Sequence, residues 1–209
     1  IKTYFINANI HKKSIWYKPY FKSLTKWLFN QFNMIIVPSQ LIKNNLLLIN
    51  VSSSIIEVMK DTRFEQILYR SIHHIPKIKL PKYFLDLDTI IFGSVDYYDE
   101  QVIYPAIIKL YPDGSQSLIK KSQACIIVPH EVDKKTISRI SVKLTSNQFN
   151  VVLSSKMKFT NISAGNIILV DQIGLLAELY KYANIAYIGG GFSKGVHSIL
   201  EPAIYNCSL

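Results

Sequence analysis

From Thr89 to Gly191 the chain alternates short apolar runs with segments of helical spacing. "TIIFGSV", "ACIIVPHEV", "NVVLSSK", "NIILVD" and "IAYIGGG" read as strands; "YDEQVIYPAIIKLY", "DKKTISRISVKLTSN" and "GLLAELYKYA" read as helices. Strands separated by helices of this length cannot form tight hairpins, so they pair in parallel. The pattern predicts parallel β/α construction, in which ligands bind at the carboxyl ends of the strands.

The first part of the chain is less regular. "TYFINANI" reads as a short buried strand, and "WYKPYFKSLTKWLFNQF" as a helix with Tyr20, Phe21, Leu24, Trp27, Leu28 and Phe32 on one side. "MIIVPS" is a second strand, and Ser39 is placed to cap the helix "QLIKNNLLLI". The stretch "YRSIHHIPKIKLPKYF" carries two prolines and little amphipathic order, which puts a domain boundary near residues 68–80. The expected division is one domain over 1–70, a linker over 71–80 and a second domain over 81–209.

The net charge of +10 is unevenly spread. Residues 1–60 hold eight lysines against one acid, Glu57, whereas residues 79–209 hold 13 basic and 11 acidic residues. The excess in the first part implies an anionic partner there. Lys12, Lys13, Lys18, Lys22 and Lys26 are interleaved with Trp16, Tyr17, Tyr20, Phe21 and Trp27. The expectation is a helix with aromatics mainly inward and lysines outward toward anionic lipid. The plainer alternative is an ordinary amphipathic core helix, and no nucleic-acid recognition motif is present. The hydrophobic fraction of 49% suffices for a core, and no apolar run is long enough to span a bilayer. Cys125 and Cys207 lack zinc or disulfide spacing and read as buried reduced thiols. The chain starts at Ile1 without a methionine and stops at "AIYNCSL", so it reads as an internal fragment.

Four of the 8 glycines fall between Gly189 and Gly195, after "IAYI". Together with Gly93-Ser94 after "TIIF" and Pro129-His130-Glu131 after "CIIV", they give three suggestive strand ends on one rim of a parallel sheet. Glycines let backbone N–H groups approach a phosphate, and a following helix N-terminus adds a positive dipole. Each feature also has a structural reading: a turn at Gly93-Ser94, a packing role for His130, and a capping box from Ser198 to Glu201. The loop fits neither dinucleotide nor P-loop fingerprints. Asp86-Leu-Asp88 precedes its strand and reads as a solvated loop, and His73-His74 lacks further ligands, so no metal site is expected.

With those residues in view, the chain resembles the Kdo (3-deoxy-D-manno-octulosonic acid) transferases of lipopolysaccharide assembly. The resemblance is carried by Asp171, Gly174, Leu176, Leu179, Tyr180, Ala183, Ile185, Ala186, Gly189 and Gly190, then Gly195, His197, Leu200 and Glu201. "DTRFEQI", "FGSVDYYDE", "IIVPHEV" and "INANI" resemble further family segments in the same order. The resemblance implies an α/β protein of GT-B type, with two Rossmann-like domains, the first incomplete. It implies inverting transfer of Kdo from CMP-Kdo to a lipid A precursor, at the cytoplasmic face of the bacterial inner membrane. The chain would be peripheral there, or anchored by a segment outside it, with no metal or cofactor and no nucleic acid partner. It places the donor near Gly93, Ser94, Pro129, His130, Gly190, Gly191, Gly195, His197, Ser198 and Glu201, with Glu201 on the ribose. The membrane and acceptor surface would comprise Lys12, Lys13, Trp16, Lys18, Lys22 and Lys26. The catalytic Glu is expected upstream of Ile1, so this stretch alone is expected to be inactive. Departures include Ser198 where Asn is usual, Asn9 where some members carry Arg, Val95 and Asp96, and Lys60. Rival readings are another GT-B nucleotide-sugar transferase or epimerase, a non-catalytic basic module for membrane or nucleic acid, and a decayed gene product.

Overall fold

Eight strands among the described residues pair in parallel to make two sheets. The computed structural model describes residues 1–10, 12–73, 75–157, 165–193 and 195–209. The chain divides into two units, Ile1–His73 and His74–Leu209. Of the His73-His74 pair, His74 lies outside the described residues; His73 stacks on Tyr69 with ring centroids 4.3 Å apart. Among the described residues no helix is long and apolar enough to cross a membrane.

The first unit runs β1 (Tyr4–Phe5), α1 (Pro19–Phe29), β2 (Met34–Val37), α2 (Gln40–Leu48), β3 (Ile56–Val58) and α3 (Thr62–His73). Its sheet order is β1-β2-β3, and Phe29, Ile35, Val37, Ile42, Leu46 and Ile56 fill the core. Ser39 caps α2 as expected, its Oγ accepting from the Ile42 N–H at 3.3 Å. The expected orientation of the aromatic helix is not observed. Tyr20 is 94% exposed and Trp27 61%, while Thr25 and Phe29 are the buried residues of α1. The cause is local. The Thr25 hydroxyl lies within bonding distance of the carbonyl oxygens of Phe21 (2.8 Å) and of Trp16 (3.1 Å), in the 3-10 turn Ile15–Tyr17. That anchors the Thr25–Phe29 edge inward, with Trp16 set edge-on to Phe29. At 3.6 residues per turn, Tyr20 and Trp27 then stand on the opposite side.

The second unit runs β4 (Asp88–Val95), α4 (Tyr97–Leu110), α5 (Ser115–Lys120), β5 (Gln123–Pro129), α6 (Lys134–Thr145), β6 (Asn150–Leu153), β7 (Asn166–Leu169), α7 (Leu176–Leu179), β8 (Ile185–Ile188) and α8 (Leu200–Ile204). Strand order is β6-β7-β5-β4-β8. The chain thus leaves β4 toward β5 on one side and returns to pair β8 on the other. The sheet is buried on both faces, which explains the near-continuous apolar runs. Ile91, Ile126, Val128, Ile168 and Tyr180 pack on one face; Val95, Tyr104, Ile127, Ile140 and Leu169 pack on the other. Cys125 is buried in the second layer, its thiol pushed up to about 12 by burial.

Local details depart from the periodicity. The helix expected over "GLLAELYKYA" lasts four residues, because Leu175 offers no side-chain cap and Tyr180–Tyr182 tighten into a 3-10 turn. α5 was not expected. Ile78 and Leu80, in the stretch read as linker, are buried in the second unit's core. There the Lys77 N–H donates to Glu178 Oε2 at 2.7 Å, and the Leu80 N–H donates to the Tyr182 hydroxyl at 3.1 Å.

The start of α5 ties two strands together. Ser115 Oγ donates to the Gly165 carbonyl at 2.5 Å and accepts from the Asn150 N–H at 2.8 Å. Ser115→Ala leaves both backbone groups without this partner. Urea denaturation is expected to show a loss of about 1–3 kcal/mol in unfolding free energy.

Candidate functional site

The carboxyl end of β4 breaks its own regularity. The β4–β5 register shifts between Gly93 and Val95, and Ser94 sits in the left-handed region at φ 53°. The shift delivers Asp96 to the start of α4, where its Oδ1 accepts from the N–H groups of Tyr98 (2.8 Å) and Asp99 (3.0 Å). Asp99 reciprocates by accepting from the Asp96 N–H at 2.9 Å, completing a capping box.

Asp99 does more than cap. Fully buried, it accepts from the Tyr187 hydroxyl at 2.8 Å and from the Gly190 N–H at 2.9 Å. One carboxylate therefore joins the ends of β4 and β8 to the glycine loop. Burial, followed by the adjacent Asp99 carboxylate, pushes the Tyr187 phenol well above its ordinary range.

The glycines now have specific causes. A Cβ on Gly189 would stand 2.2 Å from the Ser94 carbonyl oxygen, so only glycine permits β8 to approach there. Gly190 adopts φ +90° to present its N–H to Asp99. The loop then folds on itself: the N–H groups of Ser193 and Gly195 donate to the Gly190 carbonyl, and that of His197 donates to Gly189. The expectation that these N–H groups face a phosphate is corrected for Gly190 and Gly195, whose donors are occupied internally. α8 spans five residues, begins after Ile199 and has no side-chain cap. Neither the Ser198–Glu201 capping box nor a long helix dipole is therefore observed. Lys194 lies outside the described residues.

What the rim does bring together is a histidine pair. The His130 N–H donates to the Val95 carbonyl at 2.8 Å, fixing the turn after β5. The rings of His130 and His197 stack with centroids 4.8 Å apart and planes 25° from parallel. They border a cleft of about 280 Å³, also lined by Asp96, Tyr97, Tyr98, Arg139 and Ser193. Pro129 ends β5 in register with Val95, and Gly93 is packed beneath, where an added Cβ would meet the Tyr180 hydroxyl at 2.4 Å. Gly191, Gly195 and Ser198 are exposed on the loop. Glu201 is half-buried and is not among the residues lining the cleft; its charge acts on Tyr180 and Tyr205.

Sequence reasoning missed Asp99, Glu100, Arg139 and Tyr187. Arg139 on α6 bonds Glu100 on α4 through Nε (3.2 Å to Oε2) and Nη2 (2.6 Å to Oε1). The available signal was the "DE" of "FGSVDYYDE", which marked Asp99 and Glu100 without disclosing their partners. Among the described residues no group of three or more His, Cys, Asp or Glu converges as a metal cluster.

Asp99→Ala removes the acceptor for three donors and is expected to cost about 3 kcal/mol or more by urea denaturation. Asp99→Asn should cost much less, because its amide oxygen still takes the two backbone N–H groups while Tyr187 accepts from the NH₂. Asp96 gives a pH signature. Burial raises its pKa, but hydrogen bonds from Ser193 and from the Asp99 and Tyr98 N–H groups outweigh this, leaving it below the ordinary carboxylate range. The stabilisation is fully present above the unfolded pKa of about 3.9 and is lost as pH falls through the lower folded value. The amide resonance of Ser193 should therefore hold steady from pH 7 to 4 and move only below.

Residues 1–66 match the family model described as 3-deoxy-D-manno-octulosonic-acid transferase. The 3-deoxy-D-manno-octulosonic acid transferase of Rickettsia typhi is 28% identical over 217 residues, covering 100% of this chain and 43% of its own length. A bifunctional glycosyltransferase/methyltransferase of Fusobacterium nucleatum is 38% identical over 88 residues, covering 41% of this chain and 13% of its own length. The crystal structure of the C-terminal CMP-Kdo binding domain of WaaA from Acinetobacter baumannii aligns with a TM-score of 0.48 at 18% identity, covering 70% of this chain and 69% of that one. The chain spans less than half the length of these curated relatives. A family-model match over residues 1–66 and similarity to Kdo transferases along the whole length make this chain similar to the 3-deoxy-D-manno-octulosonic-acid transferases.

Proposed function

We propose that the protein of which this chain is part moves Kdo from CMP-Kdo to a lipid A precursor with inversion, and that the second unit holds the donor. The observation that carries the donor reading is the stacked His130–His197 pair over the cleft where β4 and β5 end. Ligands of open parallel sheets lie at such carboxyl edges, where the chain's path reverses direction. Here the reversal falls at β4, between β5 and β8.

In this reading an acceptor hydroxyl attacks the anomeric carbon of Kdo. The new C–O bond forms as the bond to the phosphate of CMP breaks, and a general base takes the hydroxyl proton. No residue of this chain is assigned as that base. His130 and His197 border the leaving phosphate and donate to it, which stabilises charge where it develops. No metal or cofactor enters the scheme.

The first unit is read as the acceptor side, at the cytoplasmic face of the inner membrane. Lys12, Lys13, Lys18, Lys22 and Lys26 are exposed on and before α1, and exposed Tyr20 and Trp27 share that helix. Cations attract anionic headgroups, and amphipathic aromatics settle at the lipid–water boundary.

Calorimetric titration of the chain with CMP, UMP and GDP tests the donor reading. CMP is expected to bind in preference to the other two, and His197→Ala to weaken it by about tenfold, near 1.4 kcal/mol. Equal affinity for all three, or for CMP in both proteins, would overturn it.

A further inference from the structure

The cleft contains a cation with no assigned role. Among the described residues lining it, Arg139 is the one Lys or Arg, against three carboxylates, Asp96, Glu100 and Glu131. An anionic donor entering such a cleft meets repulsion unless a directional donor group outweighs it. Asp96 is engaged by the α4 cap and by Ser193, and Glu100 by Arg139.

Arg139 is held rather than loose. Its side chain is 39% exposed, while that of its partner Glu100 is 5% exposed. Two N–H groups, on Nε and Nη2, are committed to Glu100, and the guanidinium lies 5.6 Å from the centre of the Tyr97 ring. The Nη1 edge makes no bond to Glu100 and keeps its two N–H donors. A fork clamped on one side by a buried carboxylate presents its other edge with little loss of rotamer freedom.

We infer that Arg139, positioned by Glu100, is the residue that binds an oxyanion of the donor, and so selects donors carrying one beside the bond that breaks. This rests on the donor reading above. Two oxyanions of CMP-Kdo share the chemistry: the phosphate of CMP and the carboxylate of the sugar.

NMR titrations of the chain, wild type and Arg139→Gln, with CMP, cytidine, free Kdo and inorganic phosphate test the assignment. Amide dispersion and melting temperature check that the variant folds, and Arg139→Lys keeps the charge while losing the fork. Cytidine should bind both proteins alike. A loss of about tenfold or more for CMP in Arg139→Gln assigns the phosphate; the same loss for Kdo alone assigns the carboxylate. Unchanged affinity for both overturns the inference. If the wild type binds neither CMP nor Kdo, the donor reading falls, and inorganic phosphate then decides this one. A phosphate-dependent shift of the Arg139 Nε–H signal, abolished in the variant, sustains the anion site; no shift in the wild type ends it.

Discussion

The buried carboxylate of Asp99 is the constraint on which the rest of the rim depends. It takes hydrogen bonds from the Asp96 N–H, the Tyr187 hydroxyl and the Gly190 N–H, groups drawn from the start of α4, from β8 and from the loop beyond it. A carboxylate so placed is held by three hydrogen bonds that answer both of its oxygens; a buried carboxylate without partners costs several kcal/mol. The reciprocal consequence is geometric. Once Asp99 fixes Gly190, the tight approach of Gly189 to Ser94 and the folded-back course of the loop follow, and His197 is delivered onto His130. The glycines therefore serve an internal carboxylate first, and the cleft acquires a wall of side chains.

That division explains which parts were legible in the sequence. Parallel strands buried on both faces must be apolar in nearly every position, so "TIIF", "CIIV" and "NIIL" announce themselves and the β/α order follows. The convergence of His130 and His197 follows too, since both succeed strands of one sheet. The Asp99–Gly190 bond spans 91 residues and leaves no local trace beyond an acid in a first helical turn, where an ordinary cap explains it equally well. The Arg139–Glu100 pair is hidden for the same reason. The Ser198–Glu201 pattern is the opposite case: it is conspicuous as a capping box, but α8 starts too late for Ser198 to cap it.

The first unit teaches a related lesson about helices. Spacing showed that α1 has an apolar side, but not which side the core would accept. Thr25, a residue that no hydrophobicity pattern favours, settles the rotation by reaching back to the 3-10 turn. Tyr20, Leu24 and Trp27 are thereby left exposed on the side of α1 away from the core. Lys22 and Lys26 are exposed on the same helix, so α1 offers solvent both charge and apolar surface.

The most direct test of the account is a crystal structure of this chain with CMP bound. The account predicts the phosphate in the cleft at the ends of β4 and β5, within hydrogen-bonding distance of His197 and Arg139, with the Asp99–Gly190 bond intact. CMP density elsewhere, such as along α6 beside Lys134 and Ser138, or a glycine loop that leaves Asp99 to wrap the phosphate with its own N–H groups, would contradict it.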